Sequence, residues 1–214
     1  MLKEKIVFAR EFFEEFQTTG AFFPTSQRAA KALSRPLIER QSDDSLSILE
    51  LGPGTGSVTV EILKLIRPKD KLAICEINPE FMGFLKKRIQ NNANYLRNIN
   101  NISFYQCPMQ NLPEDQKFDI VICALPFLNF DLDTVTEIFA KLKKLANPKG
   151  IMTYYQYIGL KKFGKIMRSS VGRQQLRDVS KYFEDVVHKA NLGCTQVWFN
   201  LLPINVYTLR LSEL

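Results

Sequence analysis

Ile48-Leu49-Glu50-Leu51-Gly52-Pro53-Gly54-Thr55-Gly56-Ser57 is the stretch on which the fold turns. An apolar run carrying one acid leads into three glycines at alternate positions, and Val58 to Ile66 continues with helical character. A strand that turns through glycines into a helix lets backbone N–H groups approach a ligand where a Cβ would block it. In a parallel sheet such a turn lies at the carboxyl end of a strand, where nucleotide-type cofactors bind. The plainer alternative is an ordinary strand-to-helix turn.

Spacing separates the ligand classes. The dinucleotide fingerprint G-x-G-x-x-G uses its last glycine to pack helix on strand around a pyrophosphate. Here the pattern is G-x-G-x-G, with Glu50 two positions ahead of Gly52. A carboxylate beside the turn suits a ligand bearing an ammonium and a sulfonium better than an anion. No Gly-Lys-Ser/Thr follows, which excludes a phosphate loop. Twenty residues past Gly56, Glu76 closes the apolar run Leu72-Ala73-Ile74-Cys75. A carboxylate there accepts hydrogen bonds from both ribose hydroxyls. The two features together imply S-adenosylmethionine, leaving as S-adenosylhomocysteine after transfer.

The 214 residues suit one domain with a substantial core, and 45% hydrophobic with 24% charged content is ordinary for a globular chain. No apolar run reaches the ~20 residues needed to span a bilayer. Lys3, Glu4, Lys5 and Arg10 break up any signal-peptide pattern. Cys75, Cys107, Cys123 and Cys194 are widely spaced, and with one histidine a metal site is not expected. Reduced core thiols in a cytoplasmic protein are the expectation. The histidine, His188, falls in a predicted helix away from every motif.

Apolar runs alternate with helical patterns. Strands are predicted at Ser47–Leu51, Leu72–Glu76, Ile102–Gln106, Asp119–Ala124, Ile151–Gln156, Thr195–Leu201 and Val206–Leu211. Helices are predicted at Val58–Ile66, Pro79–Asn92, Leu132–Leu145 and Gln174–Ala190. This alternation implies an α/β, Rossmann-like, seven-stranded and mostly parallel sheet with helices on both faces. Only Leu202-Pro203-Ile204-Asn205 joins the last two strands, too short for a helical crossover, so they form an antiparallel hairpin with one edge strand reversed. Residues 1–40 are expected to be a cap and 41–214 the domain, with Gln41–Ser45 as the linker.

The formal charge of +7 is concentrated. Lys161, Lys162, Lys165, Arg168, Arg173, Arg177 and Lys181 face one acid, Asp178, so residues 161–181 carry +6. Such a patch suits an anionic lipid surface or nucleic acid, or is a solvated helix face. Near the N-terminus, Leu2, Ile6, Ala9, Phe12, Phe13 and Phe16 share one helical side, opposite Glu4, Glu11, Glu14 and Glu15. That segment is either a packed cap helix or one that settles into a bilayer interface.

The acceptor side of such a fold follows the fourth strand, here Cys123-Ala124-Leu125-Pro126-Phe127-Leu128-Asn129-Phe130. Enzymes that methylate the adenine amine place Asn or Asp two positions before Pro126, where this chain has Ala124. Three segments carry a resemblance. Gly20-Ala21-Phe22-Phe23-Pro24-Thr25-Ser26 is similar to the Gly-Ala-x-x-Pro-Ser-Ser stretch of bacterial phospholipid N-methyltransferases. Leu125–Phe130 resembles their Leu-Pro-Leu-Leu-Asn-Phe loop, and Val197-Trp198-Phe199-Asn200-Leu201-Leu202-Pro203 their Trp-x-Asn-Leu-Pro-Pro closing motif. The resemblance runs from about residue 10 to the C-terminus.

Phe127 and Leu202 depart from the family pattern, and Cys107-Pro108-Met109-Gln110 lacks the Gly-Asp that commonly reads adenine. Tyr154-Tyr155-Gln156-Tyr157 stands near the family's Phe-Thr-Tyr-Gly. The resemblance implies methylation of phosphatidylethanolamine, and its mono- and dimethyl forms, towards phosphatidylcholine. It implies peripheral contact with the inner membrane surface through residues 1–16 and 161–181, and no nucleic acid. Aromatic faces stabilise the methylated cations, which makes Tyr154, Tyr155, Tyr157, Phe127 and Phe130 candidates. The expected catalytic set is Tyr154, Tyr157 and Pro126. The expected cofactor set is Glu50, Gly52, Gly54, Thr55, Gly56, Glu76, Ile77, Met109, Gln110 and Ser26. A ribosomal RNA adenine dimethyltransferase-like enzyme and a non-catalytic cofactor- or membrane-binding module are the alternatives.

Overall fold

β-Branched and aliphatic runs form the strands. A computed structural model describes residues 25–158, 170–198 and 203–214. Its strands are β1 (Ser47–Leu51), β2 (Lys71–Cys75), β3 (Ile102–Tyr105), β4 (Phe118–Cys123), β5 (Ala146–Tyr157), β6 (Asn191–Val197) and β7 (Ile204–Arg210). The helices are α1 (Gln27–Leu33), α2 (Arg35–Ile38), α3 (Ser57–Leu65), α4 (Pro79–Ile89), α5 (Ala93–Asn98), α6 (Leu132–Leu145) and α7 (Ser170–Ala190). Their starts are built as the sequence requires: Asn78 accepts from the Glu80 N–H at 2.8 Å with Pro79 in the first turn, and Asp131 accepts from the Thr134 N–H at 2.6 Å.

The sheet order is β3-β2-β1-β4-β5-β7-β6. Pairing is parallel from β3 through β5, and β7 is antiparallel to both its neighbours. The hairpin is therefore present, but the reversed strand is not at the edge. β7 slots between β5 and β6. The burial pattern explains this: β7 is covered along most of its length, whereas Asn191, Leu192, Cys194 and Gln196 leave β6 largely in solvent. A strand apolar on both faces belongs inside, and a polar one suits the rim.

Period-two alternation divides the core into two layers. On one face Leu49, Val121, Met152 and Leu209 pack with Val135, Phe139 and Leu142 of α6 and Val179 and Phe183 of α7. On the other, Ile48, Ile74, Ile122 and Val206 pack with Leu33 of α1, Ile62 of α3 and Leu85 of α4. Each such side chain contributes roughly 1.5–3 kcal/mol by leaving water. The start of β1 is fixed by a buried pair, Arg40 to Asp70 at 2.8 Å, whose carboxylate also accepts from the Arg67 and Leu46 N–H groups.

Sequence periodicity did not anticipate the short helices α1, α2 and α5; the side chains of Ser26 and Asn92 cap α1 and α5, and α2 has no side-chain cap but carries Pro36 in its first turn. Residues 1–16, Gly20–Pro24, the basic stretch 161–169 and residues 199–202 lie outside the described residues. No helix among the described residues is long and apolar enough to cross a membrane.

Candidate cofactor and acceptor site

At the carboxyl end of β1 the chain turns with Gly52, Gly54 and Gly56 at φ of +67°, +53° and +81°. Those angles are costly for any residue bearing a Cβ. Gly52 also lies close to Leu125: a Cβ there would meet its Cδ2 at 2.8 Å and push that side-chain end aside. At Gly54 a Cβ would meet nothing within 4 Å, so the turn opens onto free space. The turn is pinned from three sides. The Gly52 N–H donates to the Cys75 carbonyl at 3.0 Å, the Gly56 N–H to the Pro53 carbonyl at 2.8 Å, and Arg88 Nη1 to the Thr55 carbonyl at 2.6 Å.

Two carboxylates flank this turn. Glu76, just past β2, is 4% exposed; Oε2 accepts from the Gly54 N–H at 3.2 Å and Oε1 from the Asn78 N–H at 2.9 Å. Burial pushes its pKa up, against the lowering effect of those hydrogen bonds. Glu50 is fully buried, and burial pushes its pKa up to about 8, opposed by the Thr59 hydroxyl, which donates to Oε1 at 3.0 Å, and assisted by the charge of Glu76. Glu50 Oε2 has no hydrogen-bond partner among the described residues. An orphaned buried oxygen, a second acid beside it and an open glycine turn fit a cationic ligand with a ribose. S-adenosylmethionine has both features.

The remaining candidates divide. Met109 is 5% exposed and lies in the core between sheet and α6, while Gln110 and Ile77 are half-buried beside the same strand ends. Ser26 caps α1, its Oγ accepting from the Ala29 N–H at 3.2 Å. Thr55 contributes its carbonyl to the Arg88 latch. Sequence reasoning missed Thr59, Arg88 and Leu125, which hold the turn from outside the motif. It also passed over Asn78, whose signal is the Asn-Pro helix start two residues after Glu76.

Beyond β1 the carboxyl edge continues over β4 and β5. Pro126 (φ −83°, ψ 69°) starts a short turn in which Phe127 is buried. Phe127 sits against Tyr154 at 6.1 Å and Phe183 at 5.1 Å between ring centroids, and Tyr154 stacks on Tyr207 at 5.4 Å and 21°. Tyr154 is completely buried and its hydroxyl has no hydrogen-bond partner among the described residues. Tyr155 and Tyr157 pack edge-on, 5.4 Å apart, against the opposite core layer. The five aromatics expected together are thus split by the sheet. One acceptor reaches Tyr154 and Tyr157 only by lying across the strand ends. Burial pushes the hydroxyl pKa of Tyr154, Tyr155 and Tyr157 upward, so each is held neutral. His188 is exposed on α7.

A methyltransferase-domain family profile matches residues 48–150. The chain is 24% identical over 155 residues to an ornithine lipid N-methyltransferase from Singulisphaera acidiphila, covering 70% of this chain and 76% of that protein. Among solved structures it is similar to magnesium protoporphyrin IX methyltransferase from Synechocystis PCC 6803 with bound SAH. There the TM-score is 0.59 at 15% identity over 86% of this chain and 82% of that one. A putative rRNA-methylase from Clostridium thermocellum gives a TM-score of 0.59 at 16% identity, over 89% and 99%. At these identities the likeness to the solved structures is one of fold.

Proposed function

Since this chain is an S-adenosylmethionine-dependent methyltransferase, the question is its acceptor, and we propose that it N-methylates the amine of a lipid headgroup. Phosphatidylethanolamine and its mono- and dimethyl forms are the favoured acceptors, the product series ending in phosphatidylcholine. The observation that carries this reading is the loop Ala124–Phe130 after β4, apolar and aromatic apart from Asn129, with Ala124 and no acid or amide where an adenine amine would be held. The relative named for ornithine lipid N-methylation supports a lipid and gives the second reading, a lipid amino acid headgroup.

When bound, S-adenosylmethionine supplies an electrophilic methyl group on a sulfonium. On this reading Glu76 holds its ribose, Glu50 faces its cationic end, and the Gly52–Gly56 turn lets the backbone approach it. The amine must shed a proton before it has a lone pair to offer. The buried tyrosines, held neutral, accept a hydrogen bond from it but take no proton. Phe127 and Phe130 wall the acceptor side and exclude water, and their faces favour the quaternary product.

The same reading makes residues 1–16 the membrane contact of a 1–40 cap on a transferase domain at 41–214, and the protein a peripheral one at the inner membrane surface, while Ala29, Ala30 and Leu33 of that cap pack in the core. Arg177 and Lys181, exposed on α7, belong to the basic patch that would meet anionic lipid. The test is expression in a bacterium that makes phosphatidylethanolamine but no phosphatidylcholine, followed by lipid analysis. Methylated phosphatidylethanolamines support the favoured acceptor, and methylated ornithine lipid the second. Methylation of RNA by low concentrations of the purified protein, with none of lipid, overturns both.

A further inference from the structure

Above the Tyr154–Tyr207 stack the sheet carries a row of carboxamides. Gln156 of β5 is in register with Asn205 of β7, which is in register with Gln196 of β6. Gln156 is two residues beyond Tyr154 and Asn205 two before Tyr207 on an antiparallel strand. Both therefore project on the α6–α7 face, one step nearer the carboxyl edge. Asn205 Nδ2 donates to the Tyr207 hydroxyl at 3.3 Å, which aims that hydroxyl at the same edge.

Gln156 Nε2 and Asn205 Oδ1 are both buried, and neither has a hydrogen-bond partner among the described residues. They are a donor and an acceptor on directly opposed residues, a pairing that ordinarily closes on itself. A buried donor or acceptor left unmade is costly, which favours an outside partner for each. The Tyr154 hydroxyl, also buried and unpartnered, lies in the row beneath. Neighbouring strands are about 4.8 Å apart, so Gln156 stands roughly 10 Å from the β1 turn and Asn205 roughly 14 Å. That is beyond the part of the sheet taken up by Glu50 and Glu76, and on the acceptor's side.

Resting on the lipid-amine reading above, we propose that Gln156 and Asn205 form the headgroup-recognition subsite. They grip a polar headgroup that carries an amine N–H and an oxygen within a few bonds of each other. Whichever way each amide is turned, the pair presents an acceptor for the N–H and a donor for a phosphoryl, carboxyl or carbonyl oxygen. A hydrocarbon chain satisfies neither atom, and a lone ammonium only one.

The test uses near-isosteric apolar variants, Gln156→Met and Asn205→Leu, in the full-length protein. Initial rates are measured on mixed micelles of phosphatidylethanolamine and, separately, of ornithine lipid. On whichever lipid the wild-type protein methylates, each variant raises KM for lipid by about tenfold. S-adenosylhomocysteine affinity stays within about twofold; the melting temperature of Gln156→Met is unchanged or higher, because an orphaned polar atom has been removed, and that of Asn205→Leu falls slightly at most, because the amide bond to the Tyr207 hydroxyl goes with the orphaned oxygen. Unchanged lipid KM and kcat in both variants overturn this subsite alone. Loss of melting temperature together with cofactor affinity also overturns it, by making the pair structural. A wild-type protein that methylates neither lipid overturns the acceptor reading and the subsite together.

Discussion

The Gly54 backbone N–H donates to Glu76 Oε2 at 3.2 Å, so this carboxylate ties the glycine turn after β1 to the end of β2. Glu76 thus orders the turn, and on the proposed reading it also holds the ribose. Glu76→Ala is expected to weaken S-adenosylmethionine and S-adenosylhomocysteine alike, by roughly 1–3 kcal/mol, since both carry the ribose. Isothermal titration of each ligand checks this. Equal affinity for wild type and variant would show that the ribose is held elsewhere.

Gly52 and Gly54 share a left-handed backbone but differ in what surrounds them. Gly52→Ala drives a Cβ against Leu125 Cδ2 at 2.8 Å, so to the same backbone strain it adds a displacement of that side-chain end. Gly54→Ala meets no protein atom within 4 Å, so it suffers the conformational strain of about 1–2 kcal/mol but no clash. The Gly54 variant should melt above the Gly52 variant while binding cofactor equally poorly. Thermal melts paired with titrations decide it; a Gly54 variant that binds normally would remove this turn from the site.

Glu50 sets a pH dependence. Its pKa is raised from 4.5 to about 8 by burial, so the folded protein holds a proton that the unfolded chain has released. Stability from this group is complete below 4.5 and is lost as pH climbs to about 8. Glu76 shifts in the same direction and adds to the slope. The melting temperature without cofactor is expected to fall between pH 5 and pH 8, and Glu50→Gln should flatten that fall. Parallel slopes for the two proteins would mean Glu50 stays ionised when buried.

Much of this was written in the chain, for a physical reason. Buried parallel strands are continuous apolar runs, and the glycine turn needs residue types nothing else supplies, so β1 to β4 and the cofactor turn were legible. The place of β7 was not, because a hairpin signal states only that two strands pair, not which lies inward. Tyr154 and Tyr157 were grouped as neighbours in sequence, yet odd spacing on a strand puts them on opposite faces. Gln156 and Asn205 carry no motif; only register across β5 and β7 brings them together.

The membrane reading has its own test, independent of the lipid chemistry. Deleting residues 1–16 removes Phe12, Phe13 and Phe16 together with a net charge of −1. If this segment enters the interface, vesicle binding falls although the deletion makes the protein more basic. Cosedimentation with anionic vesicles measures the loss, and cofactor titration checks that the site survives. Stronger vesicle binding after deletion would leave electrostatics as the only attraction. A truncated protein that no longer folds would assign the segment to the core.

Tyr154 decides whether the aromatic wall takes part in transfer. Its hydroxyl is fully buried, has no hydrogen-bond partner among the described residues, and is kept neutral by burial. If it is only core, Tyr154→Phe removes an orphaned polar group and stabilises by about 1 kcal/mol without touching the rate. If it accepts a hydrogen bond from the acceptor amine, the same change should lower kcat on lipid by about tenfold while the melting temperature holds or rises. We expect the second pattern, with cofactor affinity unaltered because Phe preserves the stack on Tyr207. Stopped-time assays with phosphatidylethanolamine beside a thermal melt separate the two. An undiminished kcat would return Tyr154 to the core.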